Sequence, residues 1–115
     1  MESVCSSGAG AAVRTIAFDF DDTLTAEPKL IAGWMHMTQS LGNRAIVVTL
    51  RRESDENWSE IQALLVEHDL ENVPIFMTSG AAKEKFMRNL FDIGKLRWKV
   101  DIWVDDSPYS IVNGL

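Results

Sequence analysis

Apolar residues fall into short runs separated by longer amphipathic stretches. Four runs read as strands: Thr15–Phe20 (TIAFDF), Ala45–Leu50 (AIVVTL), Val73–Met77 (VPIFM) and Val100–Val104 (VDIWV). The first two are nearly continuously apolar, the pattern of strands covered on both faces of a parallel sheet. Three stretches between them carry apolar residues at near-helical spacing. Leu30–Leu41 offers Leu30, Ile31, Trp34, Met37 and Leu41; Trp58–His68 offers Trp58, Ile61, Leu64 and Leu65; Lys83–Phe91 offers Phe86, Met87, Leu90 and Phe91. Each predicts a helix with one apolar face. Gly42 and Asn43 end the first, since both tolerate left-handed backbone. Pro74 stands near the start of its strand, where a missing N–H is tolerated.

Strands alternating with helices define βαβ units. The predicted fold is α/β, a three-layer α/β/α sandwich around a short Rossmann-like parallel sheet of about four strands. The 115 residues suffice for one compact domain. Residues 15–115 form that domain, and residues 1–14 read as a flexible lead-in of small residues. Cys5 and Arg14 lack the spacing of a cysteine-phosphatase loop, where the arginine would stand at Ala11. GAGAAV precedes a strand instead of following one, so it is not a dinucleotide loop.

In doubly wound sheets the functional groups gather beyond the carboxyl ends of the strands. The first strand ends in Asp19, Asp21, Asp22 and Thr23, and the second in Thr49, Leu50, Arg51 and Arg52. Thr78, Ser79 and Gly80 follow the third, with Lys83 and Lys85 just beyond; Asp105, Asp106 and Ser107 follow the fourth. Crowded carboxylates repel and are costly to desolvate without a compensating cation. Asp19, Asp21 and Asp105 therefore call for a counter-charge, and an all-oxygen ligand set suits Mg²⁺ where phosphate is handled. Thr49, a strand-end backbone N–H at Leu50 and a lysine would then hold phosphate oxygens. Together these groups point to phosphoryl transfer through an aspartyl-phosphate.

With these residues in place, the sequence resembles the haloacid dehalogenase superfamily of aspartate-nucleophile phosphatases. That family's DxDxT motif after an apolar strand corresponds to DFDDT at Asp19–Thr23. Its strand-ending Thr or Ser corresponds to Thr49, its helix-start lysine to Lys83 or Lys85, and its paired aspartates to Asp105 and Asp106. The resemblance covers roughly Thr15 to Ser110. It implies that Asp19 is the nucleophile and a metal ligand. Asp21 is the general acid/base, its backbone carbonyl facing the metal. Asp105 is implied as a direct metal ligand, and Asp106 binds through water or orients a neighbour. Thr23 fixes the loop, and Asp22 has no catalytic role. Lys83 shares a face with Phe86, Met87 and Leu90 and is the expected phosphate-binding lysine, whereas Lys85 falls off that face. Arg51 and Arg52 stand where a second anionic group of a substrate could be gripped, and at least one of them reads as an ordinary loop charge. His36 and His68 read as structural, and the four tryptophans as core or partly buried surface.

The intervals after the first motif and after the third strand are too short for the cap domains of this family. A capless, open site resembles members that act on macromolecules, such as phosphoproteins or nucleic-acid ends, or that gain a cover as homo-oligomers; compact small-molecule phosphatases stay open. Family members usually continue past DDSP with a helix and another strand, whereas here YSIVNGL follows. Two alternatives accompany the phosphatase reading: a weakly active or inactive binding module, and a phosphotransferase.

Composition narrows the partners. The net charge of −6 opposes non-specific binding to nucleic acid or anionic membrane. A single cysteine rules out an intrachain disulfide and fits a reducing compartment. No apolar run nears the ~20 residues of a membrane span, and the N-terminus lacks a signal-peptide pattern. A cytoplasmic location is expected.

Overall fold

The computed structural model describes residues 12–115. The elements are β1 (Thr15–Phe18), α1 (Pro28–Ser40), β2 (Arg44–Thr49), α2 (Asp55–Glu67), β3 (Ile75–Met77), α3 (Lys83–Asp92), β4 (Ile102–Val104) and α4 (Tyr109–Val112). Residues 1–11 of the expected lead-in, Cys5 included, lie outside the described residues. Arg14 is already tied to β2: its N–H donates to the Asn43 side chain and its carbonyl accepts from Arg44 N–H.

The four strands form one parallel sheet in the order β3-β2-β1-β4. The chain steps outward from β1 to β3, then crosses back to place β4 on the other side of β1. Neighbouring residues of a strand point to opposite faces, and the core divides accordingly. Phe18, Ala45 and Val47 pack with Ile31 and Met35 of α1 and Ile61 and Leu65 of α2. Ala17, Ile46 and Val48 face the other way, against Met87, Phe86 and Leu90 of α3. The α/β fold class, the four strands and the helix order match the sequence reading. β3 and β4 are shorter than expected, because Val73, Pro74, Val100 and Asp101 lie in the approaches to them.

Local chemistry sets several boundaries. Pro28 opens α1, where its missing N–H costs nothing. The Ser54 hydroxyl caps α2 by accepting from Asn57 N–H at 3.1 Å. Gly42 takes φ 82°, as the left-handed end of α1 requires.

The buried face of α1 differs from the expected stripe. Ile31, Ala32, Met35 and Thr38 are buried, whereas Leu30, Trp34, Met37 and Leu41 are exposed. The helix rests its smaller residues on the sheet, which allows close approach. Its larger residues turn towards β4, over which no further helix lies on that side among the described residues. On α2, Trp58 is likewise half-exposed and Ile61 and Leu65 carry the contact. His36 Nε2 lies 2.7 Å from the His68 carbonyl, a link between α1 and the end of α2 in keeping with structural roles for both.

The two methionines of α1 should separate these environments. Met35→Ala, at a fully buried position, should cost about 2–5 kcal/mol by chemical denaturation. Met37→Ala, at a position 60% exposed, should stay within about 0.5 kcal/mol of wild type.

Candidate functional site

The site begins where β1 stops. Asp19 N–H donates to the Val104 carbonyl at 2.9 Å, locking the ends of β1 and β4 together. The chain then makes one wide turn over Phe20–Leu24, with N–H groups reaching back five residues: Leu24 to Asp19 and Thr25 to Phe20. Asp22 sits at its crest with φ 63°, a conformation Asp tolerates better than most residues. Its N–H donates to the Thr25 hydroxyl. The turn buries Phe20, Thr23 and Leu24 and leaves Asp19 and Asp21 on the strand-end side.

Thr23 fixes the floor. Its hydroxyl lies 3.2 Å from an Asp19 carboxylate oxygen and 3.4 Å from one of Asp106, and the Asp106 N–H approaches it at 3.2 Å. The carboxylate oxygens of Asp19, Asp105 and Asp106 come within 4.8 Å of one another, a group that could hold a metal ion. Lys83 Nζ donates to Asp19 at 2.7 Å and to Asp105 at 2.5 Å, and the Lys83 and Asp105 side chains are each only 2% exposed. A lysine at the first position of a helix opposes the helix dipole. Two carboxylates compensate for it here. Lys85, by contrast, is exposed.

Burial pushes the Asp19 carboxyl up from its ordinary 3.8 to about 7. The hydrogen bond from Lys83 opposes that shift, and the neighbouring Asp106 and Asp105 reinforce it.

Asp21 is handled separately. Its two oxygens accept from Arg51 Nε at 2.9 Å and Nη2 at 2.8 Å, a bidentate pair. The same guanidinium donates to Glu60 at 2.8 and 3.1 Å and to Asn57 at 3.1 Å, and lies 5.0 Å from the Phe20 ring centre. The hydrogen bond to Asp21, then that to Glu60, drives the Arg51 pKa further upward. Arg51 in turn holds Glu60 below its ordinary value. The expected trio of Asp19, Asp21 and Asp105 is therefore corrected: the crowded carboxylates are Asp19, Asp105 and Asp106, and the Asp21 side chain takes Arg51 as its counter-charge. Arg51, left open between gripping a substrate anion and an ordinary loop charge, has its donors engaged by Asp21, Glu60 and Asn57. Sequence spacing did not reveal this pair, although Asn57 and Glu60, three apart on α2, mark the face that meets Arg51.

An open cleft of about 200 Å³ joins these groups. Asp19, Asp21, Asp22, Thr49, Leu50, Lys83, Asp105, Asp106, Ser107 and Ser110 line it. Asp19, Asp21, Thr49, Leu50, Lys83, Asp105 and Asp106 are all brought to it, whereas Arg51, Arg52 and Lys85 are not among the lining. Thr49 is buried, and its hydroxyl accepts from Arg51 N–H at 3.3 Å. The cleft lies where the strand order reverses between β1 and β4, the usual ligand crevice of open α/β sheets. Ser107 lies where the sequence reading put it, just after the fourth strand, whereas Ser110, which that reading did not single out, enters from the short α4.

A scan of protein-family models, a search of curated proteins and a search of solved structures each found no match to this chain. Among the described residues, no helix is long and apolar enough to cross a membrane.

Two outcomes test this arrangement. Lys83→Met should destabilise the protein by about 3–5 kcal/mol in denaturant titrations, because it leaves buried carboxylates without their cation. Lys85→Met should stay within about 0.5 kcal/mol of wild type. The second outcome follows from Asp19. In the metal-free protein the folded state holds this proton more tightly than the unfolded chain does, so its contribution favours folding at low pH. That contribution is lost as pH rises from about 4 to about 7. The melting temperature of wild type relative to Asp19→Asn should fall across that range; a difference independent of pH would contradict it.

Proposed function

We propose that the protein is a Mg²⁺-dependent phosphatase that hydrolyses phosphomonoesters through a phosphorylated Asp19. The observation that carries this reading is the convergence of Asp19, Asp105, Asp106 and Lys83 at the end of β1 and β4, beside Thr49 and Leu50. The resemblance to haloacid dehalogenase phosphatases supports it from the sequence side.

The donor set fits the proposed metal. Asp19, Asp105 and Asp106 offer carboxylate oxygens only, close enough together for one hard divalent cation. Mg²⁺ held there would neutralise their repulsion and stabilise negative charge on a phosphoryl group.

The protein's own groups then divide the reaction. A carboxylate oxygen of Asp19 attacks phosphorus, and the bond from phosphorus to the ester oxygen breaks. Asp21, drawn away from Arg51 and protonated by solvent as substrate binds, gives that proton to the departing oxygen. Water next attacks phosphorus of the aspartyl-phosphate and gives a proton to Asp21, which releases inorganic phosphate and restores the Asp19 carboxylate. Lys83, the Thr49 hydroxyl and the Leu50 backbone N–H hold phosphoryl oxygens. Arg51 orients Asp21 between turnovers through its bidentate grip. Among the described residues no cap covers the open cleft, which leaves room for a large phosphorylated substrate as well as a small one.

Hydrolysis of p-nitrophenyl phosphate with and without Mg²⁺ tests this reading. Turnover should require the metal and vanish in Asp19→Asn. Asp21→Asn should lower kcat by about 10²–10⁴-fold. Full activity in the Asp19 variant would exclude the mechanism, and a folded wild type without turnover would favour a binding module.

A further inference from the structure

The larger apolar residues of α1 form an uncovered face beside β4. Leu30, Trp34, Met37 and Leu41 are 46–72% exposed, and Ile102 of β4 is 49% exposed. Trp34, Met37, Leu41 and Ile102 rim a groove of about 240 Å³, with Phe18 and Val104 among its other lining residues. Among the described residues β4 pairs only with β1, so its outer edge has no strand neighbour.

We propose that this face is a two-fold interface between copies of this chain. Three features favour a second copy as the occupant. The first is area. The exposed fractions of these side chains amount to roughly 500 Å², near the upper end of the ~300–600 Å² of the largest apolar patch on a typical monomer. That is a large share of the ~800 Å² per partner of a standard interface.

The second is charge. No charged residue lines the groove. Two copies that each carry −6 repel one another wherever their charged faces meet. They approach at least cost through a face that carries no charge. The groove between the wide turn and α2 differs in this respect, since Glu60 and Glu67 line it and would confront their own counterparts.

The third is shape. A two-fold contact must be self-complementary, so each surface needs both a projection and a recess. Half-exposed Trp34 supplies an aromatic projection of the kind that anchors interfaces, and the groove next to it supplies the recess. A copy docked along β4 would stand beside Asp105 and Ser107, at the outer wall of the cleft.

Sedimentation velocity on the full chain over a range of concentrations tests the proposal independently of catalysis. Wild type should populate a dimer. Trp34→Glu and Leu41→Glu, each at an exposed position, should raise the dissociation constant by more than about tenfold while retaining wild-type circular dichroism, because each places two unpaired carboxylates in the contact. Trp58→Glu, at a comparably exposed tryptophan on α2, should leave the dimer intact. A wild type that is monomeric at every concentration, a dimer that survives both α1 substitutions, or equal dissociation by Trp58→Glu would overturn the assignment.

Discussion

Lys83 places one ammonium between two carboxylates that approach from different strands, and it does so from the first residue of α3. Asp19 arrives from β1 and Asp105 from β4, the two strands at which the direction of chain progression reverses. Each of the three charges would be costly to bury alone. Together they fix where α3 must begin and how the ends of β1 and β4 sit. Asp106 adds a further negative charge that the lysine does not contact, so the local balance stays negative. Burial, reinforced by the neighbouring Asp106 and Asp105, pushes Asp19 up despite its ion pair, and the local negative excess suits a cluster that could hold a metal ion.

Much of this was legible in the sequence, for identifiable reasons. Strands covered on both faces leave continuous apolar runs, and Ala45–Leu50 is such a run. The aspartates follow strands directly, so the topology alone brings Asp19 to Asp105 and Asp106. Lys83 could be distinguished from Lys85 because helical spacing ties it to Met87, which is buried against the sheet. The exposed side of α1 was not legible. Periodicity shows that an apolar stripe exists, but here two overlapping stripes compete, one of large residues and one containing Ala32 and Thr38. The choice depends on what the fold offers opposite each, and among the described residues no helix covers the side over β4. The Arg51–Asp21 pair was also hidden, since it joins residues thirty positions apart through side-chain reach.

The wide turn at Phe20–Leu24 shows how little chain is needed to separate two neighbouring acids. Asp19 and Asp21 are two residues apart, yet one is buried against Lys83 and the other half-exposed against Arg51. Extended backbone at Asp21 and left-handed backbone at Asp22 accomplish the division. A regular helix starting at Asp19 would have carried both carboxylates around the same axis, without assigning each its own cation.

Arg51 has a further consequence, because its guanidinium is shared between the wide turn and α2. Asp21 and Glu60 are held by one group, so their states are thermodynamically linked. Any ligand that draws Asp21 from the guanidinium leaves Glu60 and Asn57 as its remaining side-chain partners and alters how firmly α2 is tied to the cleft. Linkage is reciprocal: an event at Glu60, which also borders the groove beside the wide turn, must change the energy of moving Asp21. The arginine thereby makes a surface position on a helix energetically audible at the end of a buried strand.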